Sequence, residues 1–542
     1  MTTSQKATPR FLSIFFNQSH TTFVSLLVLS FLFLQVIGLI HHEMWRDELH
    51  AWMIARDSSS ISDLFNNLRY EGHPALWHLC LYFLSRVTRN PLAMQVFHLG
   101  ISVLSVYIFV KFSPFTRLQK ILFTFGYFPL FEYGIISRNY SFGVLLIFLF
   151  CIFFQNRYKN YLVLAILLSL MANTNAFTFI VAVCLAITLV FERIIESNSN
   201  RLFSNSKWNL ILSVTIFVAG VIIALLQLIP PSDSDFTGDK EQVFQQSRVV
   251  LINIERIASS IARIWKIYVP IPSLQYNFWD TNILTDESSP TILRLSAVVL
   301  SLGLLFISTT LFIRKPVILF MYLSVTLGIL LFHYLKFKGS MRHSGYLFVI
   351  FLACLWISKN WNKTIYLNRS LEQVTSFFRI HQNQYLNILL CIHVMVGIFA
   401  FSMDLKYPFS ASKEVVSFIE SQQLQEALIV GSGDMEVSPI AAILDQKIYY
   451  PESKGFGTFV KWNQRKKVNN QEIIDQVNQL IVNQKRPKVL LILHQWLDKP
   501  KAERPDLSIS ELYHSSQSLA LDETYHLYLI QKKPVDSQLN VN

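Results

Sequence analysis

The chain has 542 residues, 52% of them hydrophobic and 15% charged, with a mean hydropathy of +0.37. A soluble globular protein of this size is not so apolar, so the bilayer is the expected solvent. The net charge of +12 does not point to nucleic acid: the chain after residue 404 is roughly balanced, and the basic excess in the apolar part sets topology and meets lipid head groups or phosphates.

The first apolar run, Thr22 to Ile40, outlasts a signal-peptide core and lacks a small-residue cleavage pattern before His41-His42-Glu43-Met44-Trp45, so it reads as a retained helix. Further runs predict helices near 92–111, 119–136, 140–154, 159–173, 175–191, 209–229, 291–313, 316–335, 343–358 and 384–402, about eleven in all. Pro74 to Leu84 reads as a further partial or re-entrant helix. Cys80, Cys151, Cys184, Cys354 and Cys391 all lie in apolar stretches without CxxC or CxxH spacing, which suggests neither a disulfide framework nor a zinc site.

With Lys6 and Arg10 in the cytoplasm, every connection assigned to that face carries basic residues, from Lys111, Arg117 and Lys120 to Lys359, Lys363, Arg369 and Arg379. Residues 41–91, 230–290 and everything after about 403 then fall on the outer face. The expected architecture is a polytopic α-helical membrane domain, residues 1–403, followed by an extracytoplasmic α/β domain, residues 404–542. In the latter, a helical pattern at Ser412 to Ile419 precedes strand-like runs at Ala427–Val430, Ile448–Tyr450, Val489–Leu493 and Tyr525–Ile530. Gly431-Ser432-Gly433-Asp434 follows a strand but lacks the third glycine of a nucleotide loop and reads as a turn.

Chemistry concentrates just beyond the first helix, in Trp45-Arg46-Asp47-Glu48-Leu49-His50-Ala51-Trp52. Two readings stand. The indoles are interfacial anchors beside solvated charges, or a carboxylate is poised there as a general base at the lipid boundary. Lys336, Lys338, Arg342 and His343 break the positive-inside trend in an outer connection, either as snorkelling cations or as ligands of a phosphate. The loop 230–290 carries Asp233, Asp235, Asp239 and Glu241 with Trp265, Tyr268, Tyr276, Phe278 and Trp279. It is an interfacial loop or an amphipathic cover over the site.

An acidic pair directly after the first helix, then Glu71-Gly72-His73-Pro74-Ala75-Leu76-Trp77, Glu132-Tyr133-Gly134 and Ser137-Arg138-Asn139-Tyr140, resembles the GT-C superfamily of membrane glycosyltransferases. The likeness is to the branch of protein O-mannosyltransferases and the lipid A aminoarabinose transferase, and it covers about residues 20–400. It implies a polyprenyl-phosphate sugar donor, a glycan, lipid or protein acceptor, and a site at the outer face of the plasma (inner) membrane among membrane lipids. It makes Asp47 the base toward an acceptor hydroxyl with Glu48 as its acidic neighbour, and Arg342 the ligand of the lipid phosphate, with Lys338 and His343 beside it. Inversion at the sugar is implied as well.

His73 resembles the His-Pro element of that branch, although the usual second proline is Ala75. It would bind donor phosphate, help hold a metal or hydrogen-bond within the loop. Glu71 and Glu132 are further candidate carboxylates and Arg138 a partner for a carboxylate or phosphate. The cofactor stays open: a divalent metal is possible in this setting, but no spacing matches a dedicated metal motif. The alternative to an enzyme is a transporter or flippase of a lipid-linked or anionic substrate, against which the sequence shows no repeat with interrupted helices.

Overall fold

A computed structural model describes residues 18–195, 207–229, 231, 253–286, 289–484, 487–498 and 504–533. Among them, eight helices are long and apolar enough to cross a membrane: His20–His41 (α1), Leu92–Phe112, Ala176–Ile195, Lys207–Leu228, Thr291–Phe312, Pro316–Leu335, Met341–Lys359 and Gln382–Lys406. Tyr140–Phe154 and Tyr161–Ala172 are shorter apolar helices. With little beyond dispersion to favour one apolar neighbour over another, position in such a bundle shows in burial. Every residue from Tyr346 to Ser358 is buried, which makes that helix the bundle's centre. Trp208, Ile211, Ile222 and Leu226 leave the Lys207–Leu228 helix facing outward.

The helix expected over 119–136 is not continuous. It divides into Arg117–Thr124 and a π-helical turn, Phe128–Glu132. Pro129 cannot donate a backbone hydrogen bond, and its ring would clash with the carbonyl four residues back in an unbroken helix. The chain then folds tightly on itself, so that a Cβ on Gly134 would lie 2.1 Å from the Pro129 carbonyl oxygen. This break delivers residues 133–138 to the first connecting loop.

That loop holds a helix of its own, Arg46–Asp57 (α2), with Leu49 to Arg56 buried. The strongly amphipathic Ile254–Tyr268 (α3) and the following turns supply Trp279 and Asp280. Asp233, Asp235, Asp239 and Glu241, expected in the same loop, lie outside the described residues.

The carboxyl-terminal part is a six-stranded sheet of order β3-β2-β1-β4-β6-β5, built from Leu428–Ser432 (β1), Ile448–Tyr450 (β2), Gly455–Gly457 (β3), Lys488–Leu493 (β4), Leu507–His514 (β5) and His526–Lys532 (β6). β1 pairs in parallel with β2 and β4, and the remaining pairs are antiparallel. The central strands are near-continuous apolar runs because helices cover both faces. Ser412–Ser421 (α4) and Asp434–Leu444 (α5) pack on one face through Val415, Ile419, Val437 and Ile440. Asn470–Asn483 (α6) packs on the other through Ile474 and Val477. The short β3 and the half-exposed β5 have too little apolar pattern to be seen in the sequence.

The sheet unit is seated on α2. Leu49 and Met53 pack against Ala442 of α5, Arg56 Nη1 lies 3.0 Å from Asp445 Oδ1, Thr458 Oγ1 donates to Asp57 at 2.7 Å, and Trp462 Nε1 donates to Glu71 at 2.9 Å.

Candidate active site

Asp47 is the second residue of α2, and Glu48 the third. Acidic residues in a first turn meet the helix dipole, and Glu48 Oε2 also accepts the Trp45 backbone N–H at 3.1 Å, capping the helix. The two carboxylates point to different surroundings. Glu48 is fully buried; its other oxygen accepts the Ser137 N–H at 2.6 Å, and Oε2 also meets His42 Nε2 at 3.0 Å. The second His42 nitrogen faces Asp404, at the end of the last membrane helix, at 3.0 Å. Burial pulls the His42 pKa down, but Asp404 and Glu48 together push it up to about 10. An imidazolium thus ties the end of α1, the start of α2 and the Gln382–Lys406 helix together. Glu48, expected as an acidic partner in catalysis, is placed to hold the loop in position.

Asp47 faces cations instead. Its Oδ2 accepts Arg342 Nη2 at 2.7 Å, and its backbone carbonyl accepts Arg138 Nη1. Burial alone would raise the Asp47 carboxyl, but Arg342, Arg138 and Arg46 hold it below the usual carboxylate range. Arg342 lies over the Trp45 ring at 4.8 Å and the Trp279 ring at 5.4 Å. The two indoles meet edge to face at 4.7 Å, so the guanidinium is held by cation–π contact as well as by the ion pair. Trp279 Nε1 donates to Glu132 at 3.1 Å, and Glu132 also accepts Tyr127 Oη at 2.6 Å.

Five buried nitrogens here have no hydrogen-bond partner among the described residues: Arg342 Nε, Arg138 Nε, His73 Nδ1, Trp45 Nε1 and His50 Nδ1. Buried polar groups are ordinarily satisfied, so their convergence around Asp47 marks a place for a polar ligand. Burial and then Arg138 pull His73 down to about 4, leaving it a neutral imidazole. Glu71 pairs with His50 Nε2 at 3.0 Å. The expected neighbours of Arg342 divide. His343 turns back to its own loop, where Nδ1 accepts the Ser340 N–H at 2.9 Å and its ring packs on Tyr140 and Phe177, while Lys338 is exposed.

Sequence reasoning did not single out three further groups. His50 stands one turn after Asp47, on the same side of α2, a spacing visible in the sequence. Arg263 and Lys266 on α3 are buried, Lys266 Nζ lies 3.1 Å from Asp280 Oδ1, and Arg263 Nη1 has no partner among the described residues. Asp280 in turn accepts the Met341 N–H at 2.6 Å, beside Arg342. Asp280 thus joins Lys266 to the loop that carries Arg342, and the buried Arg263 guanidinium on the same helix is a group that suits a phosphate.

Among the described residues, no group of three or more histidines, cysteines or carboxylates is placed to share a metal ion. The site carboxylates are engaged with Arg342, His42, His50 and indole or tyrosyl donors. These residues do not form a ready ligand set for a divalent metal.

No family model and no curated protein matches the chain in sequence. The crystal structure of ArnT from Cupriavidus metallidurans bound to undecaprenyl phosphate does match its fold, with a TM-score of 0.50 at 10% identity, covering 94% of this chain and 98% of that one. The chain shares the fold of that structure. The match runs through both the helical bundle and the carboxyl-terminal sheet, in agreement with the plan expected from the sequence, a polytopic membrane part followed by a further domain. Within it, the break at Pro129 and the seat of the sheet on α2 are what bring Asp47, Arg138 and Arg342 together.

Proposed function

We propose that this protein is a glycosyltransferase that moves one sugar from a polyprenyl-phosphate donor to a hydroxyl of a glycan, lipid or protein acceptor. The reaction takes place at the outer face of the plasma (inner) membrane, with inversion. The observation that carries the reading is the buried contact of Asp47 with Arg342 at the mouth of a membrane bundle, ringed by unsatisfied Arg138, Arg342 and His73 nitrogens. The undecaprenyl phosphate in the ArnT structure supports the donor class.

In the proposed step, the Asp47 carboxylate takes the proton of the acceptor hydroxyl as its oxygen bonds to the anomeric carbon. The bond from that carbon to the phosphate oxygen breaks, and its electron pair leaves with polyprenyl phosphate. Arg342, with Arg138, Arg263 and Lys266 nearby, meets the negative charge that develops there. One displacement by one base inverts the anomeric centre. The apolar bundle keeps the polyprenyl tail in lipid while the sugar reaches Asp47. No step is assigned to a metal.

The test uses purified full-length protein with a panel of polyprenyl-phosphate sugars and acceptors. Transfer is expected with at least one pair, and Asp47→Asn should lower its rate by about 10²–10⁴-fold, the usual contribution of a general base. Transfer as fast in Asp47→Asn as in the parent overturns the assignment of the base, and no transfer from any donor overturns the reaction class.

A further inference from the structure

The sheet domain carries a feature that the proposed reaction does not yet use. β1 continues through α5 to β2 on one side, whereas its other neighbour, β4, is reached through α6 on the opposite face. The carboxyl ends of β1 and β4 therefore form a topological switch point, the place where open α/β sheets leave a crevice for ligands.

The residues at this crevice are specific. Gly433, just after β1, has φ +76°, and a Cβ there would lie 2.2 Å from His494 Nδ1 and 3.2 Å from Glu436 Oε2. Only glycine lets the His494 ring cross the end of β1 toward Glu436. Two residues on, Trp496 packs against the His526 ring at 3.9 Å and the His514 ring at 5.2 Å, yet stays 60% exposed. His526 is 4% exposed, and its Nδ1 is buried without a partner among the described residues. An immobilised, exposed indole beside an unsatisfied imidazole is a platform for a ligand with an apolar face and hydroxyl edges.

Phosphate does not fit. Glu452 already occupies the donors at the end of β1, accepting Ser432 Oγ at 2.6 Å and the Gly433 N–H at 2.8 Å, and the cations nearby are engaged, Arg465 with Asp434 and Arg46 with Asp522. The His514 and His526 rings stack face to face at 4.4 Å, so their nitrogens do not converge on a metal. A neutral imidazole that can donate or accept suits sugar hydroxyls, and burial with His514 and His494 nearby draws His526 down to about 4.

The crevice leads to the base. Glu436 Oε1 lies 3.1 Å from Arg46 Nη1, Asp522 also pairs with Arg46, Glu523 accepts the Arg46 backbone N–H at 2.7 Å, and the next residue is Asp47. We infer that this crevice, with Trp496 as its platform, binds a neutral sugar of the acceptor and so delivers a glycan to Asp47. The inference rests on the proposed function for the word acceptor, but the binding itself does not.

The experiment is capture of the full-length protein, in nanodiscs, on an array of free neutral and anionic oligosaccharides, alongside its affinity for polyprenyl phosphate. Neutral glycans should be retained, Trp496→Ala should weaken their binding about tenfold, Trp496→Phe should restore part of it, and polyprenyl-phosphate affinity should not change in either. Trp496 is exposed, so these variants should fold, and unchanged polyprenyl-phosphate affinity verifies it. Retention of no neutral glycan by the parent, or equal retention by parent and Trp496→Ala, overturns the inference. If glycan binding depends on Trp496 while Asp47→Asn still transfers normally, the crevice stands and the assignment of the base falls.

Discussion

Arg342 Nη2 lies 2.7 Å from Asp47 Oδ2 although 295 positions separate the two residues in the chain. The pair is mostly buried, with side chains 11% and 17% exposed, so each charge depends on the other until a ligand arrives. In the proposed reaction both partners have work elsewhere: the carboxylate faces an acceptor proton and the guanidinium a phosphate. Asp47→Asn should therefore leave Arg342 free and keep or raise the affinity for polyprenyl phosphate while transfer falls. Arg342→Ala should lower that affinity. Titration of both variants with polyprenyl phosphate checks this, and weaker binding in Asp47→Asn would show that the carboxylate is needed to position the guanidinium.

The same pair sets a pH dependence. Burial works against the Asp47 carboxylate, but Arg342, then Arg138 and Arg46, lower its pKa below the usual range, so the carboxylate stays charged into acidic solution. Removing a cation that lowers a pKa must raise it. The acid limb of kcat/KM should move to higher pH in Arg342→Gln, and an unmoved limb would separate Asp47 from the titration that limits the rate.

How much of this was legible in the sequence follows the range of the contacts. Asp47 and Arg342 each stood out locally, one as a carboxylate at a helix end and the other as a cation against the charge trend. Their partners did not. His42 and Asp404 are 362 positions apart, and nothing in either neighbourhood marks a buried imidazolium. Trp279 reads as one aromatic residue among several in a loop until its ring is seen between Glu132, Trp45 and Arg342. The break at 119–136 was written in Gly126 and Pro129, but an apolar run of spanning length masked it. Strands β1, β2, β4 and β6 were readable because buried parallel or central strands are dense in aliphatic and aromatic residues, whereas β3 is only Gly455–Gly457.

The Glu48–His42–Asp404 cluster gives a stability prediction. The imidazolium is favoured by folding, since its pKa rises from 6.5 to about 10. Its contribution is therefore fully present below the unfolded value and is lost as pH climbs through the folded one. Thermal melting in nanodiscs should fall across that window in the parent. His42→Ala leaves two buried carboxylates without their cation, a loss of about 3–5 kcal/mol for a broken buried pair, and its melting should lose this alkaline step. An alkaline step that persists in His42→Ala would have another source.

Trp279 separates packing from hydrogen bonding beside Arg342. Trp279→Phe keeps an aromatic face for Arg342 and an edge for Trp45, but removes the donor to Glu132, which retains Tyr127. Trp279→Ala removes the ring as well, and a desolvated cation–π contact is worth about 2 kcal/mol. Affinity for polyprenyl phosphate should therefore fall modestly in the phenylalanine variant and by about ten- to thirtyfold in the alanine variant. Equal losses in the two would mean that the Trp279 N–H to Glu132, and not the ring, holds Arg342 in place.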